Sequence, residues 1–321
     1  MADKGRTLSM PVVFLLAVGV FLVALGVLVA TVVAPRLVVL PADEYVVFTT
    51  SDPDATYLDV PKLREVRHTT VTNVQTVRGD VRASHGGVVV WDTFAATRAV
   101  NGTPIAYAQA RVALDRRTGW LRACCGANAD GHRVPYTGYL LKLPFHTGRR
   151  DYPFYDAVLN RTVTARYTGT ETIGGLTVYR FAQHVPPTPF TRMTVPGSFV
   201  GSKKASVRAA RYYADDRMYW VEPTTGMFVR VQDHHRETFR DAAGRDRTVA
   251  FDGNMRMSAQ TRRTALAAAT STRTQVVAVD AAPWVAGGAG LLMIIGGATL
   301  AARRARRRPR TPAPETVATF T

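Results

Sequence analysis

Cysteine is nearly absent from this chain. Of its 321 residues only Cys124 and Cys125 are cysteine, and they are neighbours. Adjacent cysteines close only a small ring, far from ordinary disulfide geometry. Three states stay open: a vicinal disulfide, an intermolecular bridge, or two buried thiols. Metal binding would need two further ligands nearby, and adjacent side chains of a strand diverge. Catalytic patterns are missing too. Gly197-Ser198-Phe199-Val200-Gly201 sets its serine beside the first glycine, so it is no nucleophile elbow. No H-E-x-x-H, phosphate-binding glycine loop, dinucleotide fingerprint or calcium loop occurs. The chain is expected to be no enzyme and to carry no cofactor. His234 and His235 are adjacent, and in a strand their rings would face opposite sides.

Charge is the next thing missing, in two places. Pro11–Pro35 and Ala281–Ala302 contain no ionisable residue. A bilayer core about 30 Å thick needs about 20 helical residues to cross it. Both runs suffice. The first is too long for a signal-peptide core, and a cut after Ala34 would leave Pro35 in a poor position, so an uncleaved anchor is expected. Lys4 and Arg6 precede the first run, whereas Arg303, Arg304, Arg306, Arg307, Arg308 and Arg310 follow the second. The positive-inside bias places both termini in the cytoplasm, in the plasma membrane, and the middle of the chain outside. The expected layout is a cytoplasmic N-terminus (1–10), a transmembrane helix (11–35), a β-rich extracytoplasmic domain (36–256), a juxtamembrane helix (257–280), a second transmembrane helix (281–302) and a basic disordered tail (303–321). Nothing ionisable lies within either span, so one chain offers no polar ion path.

Acidic residues are fewer than basic ones, 24 against 41, for a net charge of +17. Residues 36–280 hold 33 Lys and Arg and 22 Asp and Glu, leaving +11 outside. An extracytoplasmic domain does not meet nucleic acid. Anionic membrane lipids, wall polymers or acidic partners suit this charge better.

Helical periodicity is absent between the anchors until Met257. Val88–Phe94 is β-branched and aromatic, Asn101-Gly102 is a strong hairpin signal, and Ile105–Leu114 alternates. Asp115-Arg116-Arg117-Thr118-Gly119 and Glu222-Pro223-Thr224-Thr225-Gly226 share the form acid-x-x-Thr-Gly between strands. Ile173-Gly174-Gly175 marks another hairpin, and loops are expected at Pro135–Asp151 and Pro186–Lys204. This pattern predicts a mainly β fold: a curved antiparallel sheet, half-barrel in form, between two terminal helices. Strand–helix alternation, which a parallel α/β domain would require, is missing.

Three further sets of residues stand out. Tyr152, Phe154 and Tyr155 make a candidate binding rim for an apolar or sugar ligand, against the alternative of a loop pinned to the sheet. Gly26 with Ala30, and Ala286 with Gly290, lie one turn apart and would let helices pack closely, within a chain or in a homo-oligomer. The third set carries a resemblance. Ala34-Pro35-Arg36-Leu37, Val77-Arg78-Gly79-Asp80-Val81, Val90-Trp91-Asp92, Cys124-Cys125-Gly126, Tyr152-Pro153-Phe154, Val195-Pro196-Gly197-Ser198 and Trp220-Val221-Glu222-Pro223 occur in that order between two terminal helices. Together they resemble the actinobacterial porin PorA family, over about residues 10–302. The resemblance implies channel formation in the cell envelope and supplies no catalytic residues. From the residues alone the leading expectation is instead a tethered β-domain that binds an envelope lipid, glycan or protein, with an oligomeric channel as the alternative and an unrecognised hydrolase third.

Overall fold

The computed structural model describes residues 10–306. Two compact units divide the chain: residues 38–276, and the terminal segments to either side.

The inner unit is a single antiparallel sheet. Its strands are β1 (Tyr45–Asp59), β2 (Arg64–Gly79), β3 (Val88–Ala99), β4 (Pro104–Asp115), β5 (Leu121–Arg122), β6 (Asn128–Ala129), β7 (Tyr152–Asp156), β8 (Arg161–Ile173), β9 (Leu176–Pro196), β10 (Ser206–Val221), β11 (Phe228–Arg240) and β12 (Asp246–Met257). Eleven of them run in the order β5-β4-β3-β2-β1-β12-β11-β10-β9-β8-β7, and β6 pairs with β4. Every sequential neighbour is a hairpin partner save where β1 meets β12, so chain order becomes sheet order, with β5 and β7 as the two edge strands. Ile173 pairs with Leu176 across Gly174 and Gly175, whose φ of 57° and 82° suit a two-residue turn.

The expected loop at Pro186–Lys204 is corrected: β9 continues to Pro196, with Pro189 opposite Tyr212 and Pro196 opposite Ser206. The prolines are tolerated because β8 leaves β9 after Arg166 pairs with Ala182. Beyond that point one edge of β9 has no neighbour that needs its N–H groups.

Side chains from opposite ends of the sheet meet on one face, which is therefore concave. Tyr155 of β7 packs with Val77, Trp91, Val112, Leu114 and Leu121 of β2–β5. The segment between β6 and β7 fills this hollow as a strap. Leu121 of β5 donates to the Gly138 carbonyl at 2.8 Å, Tyr139 donates to Pro153 at 3.0 Å, and Tyr155 donates to Tyr139 at 2.7 Å. Gly138–Tyr139 thus joins the two edge strands by backbone hydrogen bonds. A side chain at Gly138 would fall 2.6 Å from the Pro153 carbonyl.

Both acid-x-x-Thr-Gly turns have the same construction. Asp115 Oδ1 accepts the Thr118 N–H and hydroxyl, both at 3.0 Å; Glu222 Oε2 accepts those of Thr225, both at 2.8 Å. In each, the glycine N–H returns to the acidic residue's carbonyl at 2.8 Å, with φ of 74° at Gly119 and 73° at Gly226. The second turn grips the strap: Leu143 donates to Gly226, His146 to Thr224 and Thr147 to Pro223.

In the terminal unit, α1 (Met10–Leu28) passes through a π-helical turn (Val29–Val33) into α2 (Ala34–Leu37). Pro35 cannot donate to the carbonyl four residues back, and the ladder widens so that Ala34 donates to Val29. α3 (Ala259–Arg306) is one continuous helix of 48 residues that contains Pro283. In the inner unit its first turns pack Leu266 and Ala269 against Leu176, Val178, Trp220 and Val229.

Candidate functional site

Period two in β10 and β11 sends alternate residues to the concave face, and here that face is not wholly apolar. Tyr213, Asp215, Arg217 and Tyr219 point inward from β10, opposite Glu237, His235, Asp233 and Val231 of β11. Asp215 is 2% exposed and Glu237 8% exposed, unusual burial for carboxylates. Arg217 Nη2 reaches Asp215 Oδ2 at 2.6 Å and Asp233 Oδ2 at 3.2 Å, while Arg211 reaches Glu237 at 2.5 Å. Gln183 of β9 accepts from the Tyr219 hydroxyl at 3.1 Å. Burial pushes Asp215 up, with the neighbouring Asp233 adding to the effect against Arg217. Against the same cost of burial, Arg217 and a hydrogen bond from Asp215 hold Asp233 down. The result is a polar strip crossing three strands, closed off below by aromatic packing of Phe154 on Tyr219 at 4.6 Å.

Over β9–β12 the convex face is charged and open. His184 meets Asp216 at 2.6 Å, His234 meets Asp252 at 3.0 Å, and Arg236 spans Asp246 and Asp252. A lipid-facing barrel would carry an apolar band there. His235 turns the other way, to Glu237 at 2.7 Å, so the two adjacent histidines lie on opposite faces. Among the described residues, no group of three or more His, Cys, Asp or Glu side chains could hold a metal ion.

The terminal helices pack antiparallel through glycine. A Cβ at Gly19 would fall 2.7 Å from the Gly290 carbonyl, one at Gly26 2.9 Å from the Pro283 carbonyl, and one at Gly297 3.0 Å from Leu16. Val12, Gly19 and Gly26 are the buried positions of α1, and they lie seven apart. Pro283, Gly290 and Gly297 on α3 share that spacing, the repeat of a left-handed pair. Gly26 and Gly290 are therefore in the seam, but Ala30 is exposed and Ala286 is only half-buried. Along this pair the close backbone contacts repeat every seven residues. Only 17% and 11% of the two most apolar windows are buried, unlike the core helices of a soluble protein. Phe14, Phe21, Trp284 and Leu292 stand exposed at 63–82%. Both helices are long and apolar enough to cross a membrane.

The remaining candidates divide. Cys124 and Cys125 are joined to each other as a disulfide, with Cys125 at φ 59° and the following Gly126 at 77°. Tyr152, Phe154 and Tyr155 are 1–3% exposed and form no rim. Their rings pack on Tyr139, Phe181, Tyr219 and Tyr136, because β7 is the strand on which the strap closes the sheet. Arg303, Arg304 and Arg306 lie in the last turn of α3, whereas Lys4, Arg6, Arg307, Arg308, Arg310 and the rest of the expected disordered tail lie outside the described residues. Asp215, Arg217 and Asp233 went unrecognised in the sequence. The available signal was the inward alternation Tyr213-Asp215-Arg217-Tyr219, which sets an acid and a base between two core aromatics.

The family described as Porin PorA matches residues 12–299. A relative from Corynebacterium amycolatum described as "Porin PorA" is 26% identical over 203 residues, covering 50% of this chain and 53% of that protein. The chain thus spans about half the length of the curated relative it matches. These findings overturn ligand or partner binding as the leading function, since the family over nearly the whole chain is one of porins. The alternative reading, a channel-forming protein, fits them better.

Proposed function

Because this chain belongs to the Porin PorA family, we propose that it forms a channel in the cell envelope, without enzymatic activity, by assembly of several copies. The observation that carries this reading is a family match spanning both apolar helices and the whole sheet. Several copies are needed on physical grounds. Neither apolar stretch holds an ionisable residue, and glycine contacts leave no space for water between α1 and α3. The charged convex face of β9–β12 argues against those strands as the membrane-crossing element and favours the two apolar helices. Arginines at the end of α3 favour cytoplasmic termini and an extracytoplasmic sheet. Anionic membrane lipids are the partners this charge suits, at about 1 kcal/mol per arginine near the surface. The vicinal disulfide suits an oxidising exterior. Purified full-length protein, with its oligomeric state verified, is expected to give stepwise conductance in planar bilayers. Conductance no greater than that of empty detergent controls rules the channel out.

A further inference from the structure

Around Tyr213 the carboxyl oxygens outnumber the donors that reach them, while Gln183 Nε2 and Arg211 Nε are left unpaired elsewhere in the strip. Asp156 of β7 is fully buried and its Oδ1 already accepts the N–H groups of Val158 and Leu159, at 3.0 and 2.8 Å. Its Oδ2 lies 2.9 Å from the Tyr213 hydroxyl, and Asp215 Oδ2 lies 2.8 Å from the same hydroxyl. Tyr213 has one proton for these two oxygens. Arg217 supplies one further nitrogen, Nη2, shared between Asp215 Oδ2 and Asp233 Oδ2. That leaves Asp215 Oδ1 and Asp233 Oδ1, both buried and with no donor. The two carboxyl groups thus meet at a single guanidinium nitrogen, each with one buried oxygen left over. One guanidinium cannot neutralise both, and like charges this close do not both ionise in a buried setting.

We propose that Asp215 and Asp233 form a buried proton-binding site, in which Asp215 holds one proton at neutral pH between Tyr213 and the Asp233 carboxylate, and that release of this proton loosens the sheet where β9, β10 and β11 adjoin. Asp215 is the carrier because its side chain is wholly buried, whereas Asp233 is 23% exposed and also feels His235. The other groups facing the site do not remove the need. From β10, Arg211 is engaged by Glu237 and Tyr219 donates to Gln183. From β11, His235 is paired with Glu237. β12 presents Phe251 and Met255 here, and β9 presents Gln183 and Phe190, none of them charged. The proposal stands apart from channel activity: it concerns the folded sheet and is read without conductance.

The sign of the pH effect follows from where the proton sits. A carboxyl whose folded affinity for protons exceeds its unfolded one contributes stability that is complete below the unfolded value, near pH 4, and declines as pH rises. The test uses full-length protein in detergent. Infrared difference spectra at pH 7 are expected to show the carbonyl stretch of a protonated carboxyl, shifted in heavy water and absent from Asp215→Asn. Between pH 5 and 7 the Tm of the wild type should fall relative to that of Asp215→Asn, because the amide mimics the protonated acid and does not titrate. Asp233→Asn should be the more damaging change, since it removes the charge that Arg217 faces. Absence of a protonated-carboxyl band in the wild type overturns the proposal whether or not either variant folds. So does an Asp215→Asn protein that keeps the band.

Discussion

Lys142 shows how far this fold departs from the rule that ammonium groups stay in water. It sits in the strap at 6% exposure, its Nζ 3.4 Å above the Phe145 ring. Burial drives its pKa down to about 7, with Glu44 pulling the other way. Burial raises Glu44 in turn, so this is a costly environment for both charges rather than a strong ion pair. A folded pKa of about 7 below an unfolded one of 10.5 means the unfolded chain binds more protons between those values. Lys142 therefore penalises the fold fully below about pH 7, and the penalty fades as pH rises toward 10.5. Lys142→Met keeps the long stem and removes the charge. It is expected to stabilise the protein by roughly 1–4 kcal/mol at pH 6, and by less at pH 9. Denaturant titrations at the two pH values measure this, and a variant less stable than wild type at pH 6 contradicts it. Asp115 illustrates the opposite case: despite the cost of burial, hydrogen bonds from Arg122 and the Thr118 N–H and hydroxyl hold it at about 2.

Among the elements, the helix pair and the closing strap have different sources of specificity. In hydrocarbon, apolar side chains gain nothing by leaving lipid, so α1 and α3 are matched by close approach of backbones. Leu15 and Gly297 test the register. A Cβ at Gly297 would lie 3.5 Å from that of Leu15, within disulfide range. The pair Leu15→Cys and Gly297→Cys should cross-link within one chain in membranes, while Ala30→Cys with Ala286→Cys should not. Adding Gly290→Leu should abolish the first cross-link, because its Cβ would already meet the Gly19 carbonyl at 2.6 Å. Overpacking of this kind costs about 1–3 kcal/mol. Mobility on non-reducing gels after oxidation gives the answer. The strap, by contrast, is held by directional bonds: backbone groups of Gly138, Tyr139, Leu143 and Thr147 all find partners on strands or turns. Its aromatic side chains then fill the hollow that the curling sheet leaves.

For the whole molecule, the proposed topology makes a separate prediction. Protease added outside intact cells should cut within residues 36–280 and leave epitope tags at both termini protected. Digestion of either terminal tag without lysis reverses the orientation and leaves the fold untouched. Orientation rests on cations at the helix ends, whereas the sheet is specified by its own pairing.

Much of this was legible in residue order because it depends on local chemistry. The two apolar runs, the glycine turns at Gly174 and Gly226, the acid-x-x-Thr-Gly motif and the antiparallel sheet all arise from neighbours within a few positions. So does the resemblance to the family, confirmed across residues 12–299. β1 and β2 were harder to see. In β2, valines occupy both faces, Val71 and Val77 inward and Val74 38% exposed, and in β1 bulges between Asp52 and Tyr57 break the alternation that marks a strand. The seven-residue helix seam, the burial of Tyr152, Phe154 and Tyr155, and the joining of Asp156, Asp215 and Asp233 were decided only in three dimensions. Each depends on which distant segment lies opposite: α3 for α1, the strap for β7, and β7 for β10. Sequence period determines the face a side chain takes, but curvature of the sheet determines what that face encloses.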